Sequence, residues 1–325
     1  MGLVAMRVAL LAGGTGGAKL AVGLRDILHG FDGQAPEQPG QLSVVANTAD
    51  DIEIYDVHVS PDPDLISFRL AGVIDGVGFG IEGEGHELMD ARRAAGEQIW
   101  FELGDDDMRV CAERAALLAA GETLTAAHAG ATARYDAGGA LVLPMSDRPV
   151  RTIIETPEGP RGIQQFLIQD RSDPTIVSVR FEGIDAAAVT APVDQAVSDA
   201  DLIVIGPSNP VISISPILRT PGMAEALSAA EAPVLAVSPF VGGAVLKGPT
   251  AKFVESAGFP ATSSGVADYY AEAHGALIDA WIADDPLPGH AHHLANVAMS
   301  DPARTRSVAA EVLRYGASLP GTRSD

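Results

Sequence analysis

Arg7-Val-Ala-Leu-Leu-Ala12, followed by Gly13-Gly14-Thr15-Gly16-Gly17-Ala18-Lys19, is the stretch that decides the fold class. A short apolar run ending in glycines reads as a buried strand. Lys19 to Leu28 then carries Leu20, Val22, Leu24, Ile27 and Leu28 at helical spacing. The Gly-, Pro- and Gln-rich segment from Gly30 to Gln41 reads as a surface loop, and Leu42-Ser-Val-Val-Ala46 as a second strand. Strand, glycine loop, helix, strand is the opening of a doubly wound sheet. Glycines at such a turn let the backbone approach an oxygen-rich ligand and aim N–H groups and the helix dipole at it. Two common fingerprints fail. G-x-G-x-x-G started at Gly14 needs glycine at Lys19, which argues against a dehydrogenase. The P-loop aligned on Lys19 needs glycine at Ala18 and Ser or Thr at Leu20.

Further along, Leu141-Val-Leu-Pro144 and Arg151-Thr-Ile-Ile-Glu155 return to strands, and Leu202–Gly206 and Val234–Ser238 read as buried parallel strands. The expectation is an α/β, Rossmann-like fold with a mainly parallel sheet flanked by helices. Gly76 to Gly85 is glycine-rich, and Glu87 to Ala131 is rich in Ala, Leu, Glu and Arg. Residues 85–135 are therefore expected to form a helical lobe inserted in a nucleotide-binding core of residues 1–84 and 136–325. Asp301 to Leu313 reads as an amphipathic helix capped near Ser300 or Asp301, followed by a tail over 318–325.

The 325 residues carry a net charge of −22, which argues against binding a nucleic-acid backbone but not a small phosphorylated ligand. No apolar run approaches the roughly 18 residues of a membrane span, and the first residues lack a signal-peptide pattern. A cytoplasmic protein with no membrane partner is expected. Cys111, the single cysteine, excludes an internal disulfide and reads as a small packed residue.

Polar stretches follow the strands, at the edge where open α/β sheets bind ligands. Asn47-Thr-Ala-Asp50-Asp51 and Ser60-Pro-Asp62-Pro-Asp64 bring two acidic clusters together, and magnesium takes one or two carboxylates plus substrate phosphates. Asp51 and Asp64 are the candidate ligands and catalytic groups, whereas Asp62, just after a proline, reads as a turn or cap residue. Gly104-Asp105-Asp106-Asp107 reads as a helix opening. Ser208 and Asn209, within Gly206-Pro-Ser-Asn-Pro210, offer a hydroxyl and an amide to a base or phosphate, Ser238 follows the next strand, and Lys247 is a candidate phosphate counter-ion. Pro144-Met-Ser-Asp147 is one more such loop. His290, His292 and His293 lie in a Pro/Gly-rich surface stretch without acidic partners at a metal-binding spacing.

Taken together these stretches resemble the 2-phospho-L-lactate transferase family, from Gly13 to about Tyr270, and most specifically from Gly206 to Leu218. The resemblance implies an enzyme of coenzyme F-420 biosynthesis whose donor is a diphosphate joining GMP to phospholactate or, in actinobacterial members, to phosphoenolpyruvate. The terminal hydroxyl of the deazaflavin Fo attacks the phosphate of the three-carbon acid and GMP leaves. It also implies that Gly13, Gly14, Thr15, Gly16 and Gly17, with Ser208 and Asn209, hold the nucleotide. Asn47, Asp50, Ser238 and Lys247 join the substrate site, and Asp51 and Asp64 hold Mg²⁺ and face the Fo hydroxyl. A homodimer is expected. The chain departs from the family at three places: Pro63-Asp64-Leu65 replaces the usual Leu-Asp-Thr, Asp106 replaces an arginine, and His86 replaces a threonine. A related regulatory branch binds nucleotide sugars and lacks the Ser-Asn-Pro sequence, so Ser208-Asn209-Pro210 favours the transferase.

Overall fold

Seven parallel strands form the central sheet: β1 (Arg7–Ala12), β2 (Gln41–Ala46), β3 (Leu141–Pro144), β4 (Leu202–Ile205), β5 (Val234–Val237), β6 (Ala280–Ala283) and β7 (His292–Leu294). Their order across the sheet is β3-β2-β1-β4-β5-β6-β7, so the chain runs outward from β1 in one direction, then from β4 in the other. The doubly wound, parallel sheet expected from the glycine loop is present, with a switch point between β1 and β4. The computed structural model describes residues 6–30, 39–74, 80–245 and 248–321. Most of the Gly30–Gln41 loop, residues 75–79 of the glycine-rich stretch, Lys247 and the last four residues of the tail lie outside them.

Alternation along each strand builds two cores. Val8, Leu10 and Ala12 of β1 point into one, with Leu20, Ala21 and Leu24 of α1 (Gly14–His29), Leu65, Ile66 and Leu70 of α2 (Pro61–Ala71), and Val308, Val312 and Leu313 of the C-terminal helix Pro302–Gly316. Ala9 and Leu11 point into the other, with Val193, Met223, Leu227, Val266 and Tyr270. Both faces are apolar and covered, which is why these strands read as continuous apolar runs rather than alternating ones. Burying β1 and β2 on both faces holds the loops at their C-terminal ends in fixed relation.

Two segments fall elsewhere than the sequence suggests. Arg151–Thr156 pairs antiparallel with Gly159–Gly162 and Ser178–Glu182 in a separate three-stranded sheet. His292–Leu294, read as surface loop, is the edge strand β7. Between residues 85 and 135 lie α3 (Glu87–Ala94), α4 (Asp105–Ala119) and α5 (Leu124–Thr132). Met89, Phe101, Leu103, Met108 and Cys111 of this region pack on Val57 and Val59 of the ribbon formed by Ile52–Ile54 and Val57–Val59. Among the described residues no helix is long and apolar enough to cross a membrane.

Candidate active site

The loops after β1, β2, β4 and β5 converge on one cavity of about 1210 Å³ at the C-terminal edge of the sheet. Its floor is the glycine loop. Gly13 is extended, Gly14 takes φ +60, and α1 begins there. The Gly13 N–H donates to Ser208 Oγ at 3.1 Å, tying the β1 loop to the β4 loop across the switch point. Gly16 is required by that contact: a Cβ there would stand 2.2 Å from the Pro207 carbonyl oxygen. The N–H groups of Thr15 and Gly16, in the first turn of α1, have no α-helical acceptor and line the cavity. They are the backbone donors available to an anion.

Asn209 sits opposite. Its Oδ1 accepts from the Val211 and Ile212 N–H groups at 3.0 and 3.3 Å, which fixes the turn that follows. Its Nδ2 is buried without a partner among the described residues, a donor held ready at the cavity wall. Ser238 also lines the cavity, but its hydroxyl donates to Ser263 Oγ at 2.8 Å and accepts from the Phe240 N–H at 3.1 Å. Asn47 lies behind the wall, fully buried, donating to Asp62 at 2.9 Å and accepting from the Ala49 N–H at 2.9 Å.

The four acids of the β2 and α2 loops have four different environments. Asp50 lines the cavity, is buried, and leaves Oδ1 without a partner among the described residues. Burial, then the nearby charge of Asp62, pushes its carboxyl well up. Asp62 accepts from the Gly14 N–H at 2.7 Å and from Asn47, and burial pushes it up to about 6. Asp64 meets the guanidinium of Arg114, which is wholly buried and also donates to the His58 carbonyl at 3.0 Å. Burial raises the Asp64 carboxyl and Arg114 opposes the rise. Asp51 is not among the lining residues; it accepts from Ser60 Oγ at 2.8 Å and bonds His58 Nε2 at 3.0 Å. Burial disfavours the charged His58, but its contacts with Asp51 and Glu53 prevail and raise it to about 9, so it is an imidazolium at neutral pH.

These environments sort the acids by fitness for a cation. Asp51 and Asp64 each have a cationic partner. Asp50 and Asp62 have none among the described residues, and burial pushes both carboxyls up, toward the neutral form that a cation would displace. Among the described residues no group of three or more His, Cys, Asp or Glu forms a ready-made metal cage. Magnesium does not need one where substrate phosphates supply further oxygens.

The opposite wall is largely apolar, with Leu65, Phe68, Trp100, Phe101 and Leu103. Below it the run at Gly104 opens α4, as its sequence predicts, but the caps are exchanged. Glu84 accepts from the Asp106 and Asp107 N–H groups of α4, both at 3.1 Å, while Asp105 accepts from the Glu87 and Leu88 N–H groups of α3. Asp107 faces the cavity, and burial with the neighbouring Glu84 pushes it up to about 8. Asp106 pairs with Arg109 outside the cavity. Cys111 is packed, its thiol pushed up by burial. The three histidines have separate tasks: His290 meets Asp268 at 3.0 Å, His293 meets Glu311 at 2.6 Å, and His292 bonds the His290 carbonyl.

Asp62 and Arg114 are the site residues that sequence reasoning missed. A spacing of two from Asp64 was the one available signal for Asp62. Arg114 offered none, standing in an ordinary run of helix formers.

Residues 8–314 match the family model described as 2-phospho-L-lactate transferase CofD. A 2-phospho-L-lactate transferase of Methanococcoides burtonii is 36% identical over 277 residues, 85% of each chain. A phosphoenolpyruvate transferase of Thermobifida fusca is 34% identical over 315 residues, 94% of this chain and 96% of its own. Among solved structures, a UPF0052-family protein of Bacillus halodurans superposes with TM-score 0.64 at 16% identity, covering 96% of this chain and 100% of its own, a likeness of fold.

Proposed function

The chain belongs to the 2-phospho-L-lactate transferase family, and on that premise we propose that it moves a phospho-three-carbon-acid group from a GMP-linked diphosphate donor to the hydroxyl of the deazaflavin Fo, as a step of coenzyme F-420 biosynthesis. The acid is phospholactate or phosphoenolpyruvate, matching the two names its relatives bear. The observation that carries the reading is a single cavity of about 1210 Å³ with chemically opposite ends. Pockets for one small molecule run to about 1,000 Å³, so this volume suits two ligands side by side. One end offers the first turn of α1 and the free Asn209 amide to a nucleotide; the other offers Phe68, Trp100 and Phe101 to a flat aromatic acceptor.

The reaction forms a bond between the acceptor oxygen and the phosphorus of the three-carbon acid and breaks the phosphorus–oxygen bond to GMP. The hydroxyl proton is lost and GMP leaves with the bridging oxygen. Such chemistry rests on positioning and charge neutralisation. Thr15 and Gly16 N–H groups face the diphosphate, and Asn209 Nδ2 fixes the nucleotide. We place Mg²⁺ at Asp50 and Asp62, whose carboxyls line the cavity without a cationic partner among the described residues; when bound it would neutralise phosphate charge. Arg114 orients Asp64, and the His58 imidazolium holds Asp51 behind the wall.

Incubation with each guanylylated donor, Fo and magnesium, read by mass spectrometry, tests the proposal. GMP release coupled to an Fo adduct is the expected result. GMP formed at the same rate without Fo, or no GMP from either donor, would sink it.

A further inference from the structure

The cavity is acidic. Asp50, Asp62, Asp64, Glu84 and Asp107 all line it, against two lysine or arginine side chains among its described residues, Lys19 and Arg171. Lys19 donates to the Met299 carbonyl at 2.9 Å. Arg171 makes no hydrogen bond or ion pair among the described residues, although carboxylates surround the same space. An arginine held at the mouth of an acidic cavity with its guanidinium unspent is poised for an anion that arrives from solution.

Its backbone shows that the placement is enforced. Arg171 and Ser172 occupy the left-handed region in succession, at φ +52 and +58. Neither is a glycine, and side-chain-bearing residues stay in that region only where their surroundings hold them there. The strained turn is pinned from three sides. The Ser172 N–H donates to the Phe166 carbonyl at 2.8 Å, the Asp173 N–H to the Asp170 carbonyl at 2.9 Å, and Lys252 Nζ to the carbonyls of Ser172 and Asp173. Lys252, the other cation nearby, is consumed in holding the turn. At the start of the same segment, Gln164 Nε2 donates to the Asp50 carbonyl at 2.9 Å, which anchors it beside the acids where the donor's phosphates would lie.

We propose that Arg171 is a specificity-determining residue that binds the carboxylate of the donor's three-carbon acid through its guanidinium fork. This rests on the transferase reading above.

The test is calorimetric and needs no turnover. Wild type and Arg171→Gln are titrated with GDP and, in the absence of Fo, with the GMP-linked donor. Charge-assisted hydrogen bonds contribute about 1.5–3 kcal/mol, or roughly 10- to 150-fold. The wild type should therefore bind the donor more tightly than GDP. Arg171→Gln should weaken donor binding by about that factor and leave GDP within two-fold, and Arg171→Lys should recover part of the loss. Donor affinity unchanged in Arg171→Gln would overturn the proposal. So would an equal loss for GDP, which would put the guanidinium on the diphosphate. Absence of transfer by the wild type would instead overturn the function and leave this binding result standing.

Discussion

Asp64→Asn removes the carboxylate bonded to Arg114, a side chain with no solvent exposure and an Nε that already lacks a partner among the described residues. Removing one member of a buried ion pair strands the other, at a cost of about 3–5 kcal/mol. The loss of charge is not offset locally: the remaining Arg114 bond goes to the neutral carbonyl of His58, and His128 is held neutral, its basicity lowered by burial and by Arg114 itself. Asn can still accept one hydrogen bond, so it belongs at the lower end of the range and Asp64→Leu at the upper. At roughly 2 °C per kcal/mol for a chain of this size, thermal unfolding should fall by about 5–10 °C. Arg114→Met should cost a similar amount by stranding Asp64.

The double variant separates the pair from its surroundings. Replacing both partners of a buried pair by groups of similar shape is often nearly neutral. Asp64→Leu combined with Arg114→Met should therefore unfold closer to wild type than either single variant, with a coupling of about 2 kcal/mol or more. Scanning calorimetry on the four proteins at one pH measures it. Melting of Asp64→Asn within 1 °C of wild type, or strictly additive losses, would refute the reasoning. The result bears on function, because turnover lost in Asp64→Asn at assay temperature is evidence about metal only if the variant is shown to be folded there.

Asp50→Asn should act the opposite way: burial pushes this carboxyl well up, so folding at neutral pH has to protonate it, and the amide removes that cost and raises the melting temperature of the metal-free protein, while the magnesium needed for half-maximal turnover rises at least ten-fold. An unchanged magnesium requirement would count against the cation site. Gly16→Ala drives a methyl into the Pro207 carbonyl, so GDP affinity measured by calorimetry should fall at least ten-fold; retained affinity would show that the two loops move apart freely. His274 is held down to about 4 by burial, then by the charge of Arg219, while its hydrogen bond to Ser215 is 2.8 Å. Between pH 6.5 and 4 the unfolded chain binds a proton that the folded one refuses, so wild type loses stability relative to His274→Gln as pH falls through that window, by up to about 3 kcal/mol. Urea unfolding of both at pH 7 and 4.5 reads the difference, and a constant gap would refute it.

The sheet was legible because its central strands are buried on both faces, and Val8–Leu11, Leu202–Ile205 and Val234–Val237 have no choice but to be apolar throughout. Strands that carry less apolar surface left less trace. His292–Leu294 is three residues long at the sheet edge, with its hydrogen bonds to β6 rather than its side chains defining it. At the site, the glycine loop and Ser208-Asn209 were readable, since close backbone approach leaves few residue choices. Asp62 was not. An aspartate after a proline normally serves its own helix, and here the fold carries the Gly14 N–H to it from 48 residues away. Arg114 is buried only because the 52–59 ribbon and α2 close over α4, a packing event that no local pattern in Arg109–Leu118 announces.

The three departures from the family pattern separate once placed in space. Leu65 lines the cavity where the family usually has threonine, so the wall beside Asp64 is apolar and offers no hydroxyl to a ligand. His86 also lines the cavity and adds a ring whose Nδ1 lies 3.4 Å from the Leu103 carbonyl. Asp106 is different: it is half-exposed, bonded to Arg109 one turn along the helix, and outside the cavity. An arginine at that position would start from the rim, so its loss need not open a hole in the substrate site. The two changes that touch the cavity join Phe68, Trp100 and Phe101 in its lining, while Gly13–Gly17 and Gly206–Pro210 keep the residues that carry the family resemblance. If Fo or another acceptor binds as proposed, a comparison of acceptors with altered side chains should find its discrimination at the wall that carries Leu65 and His86.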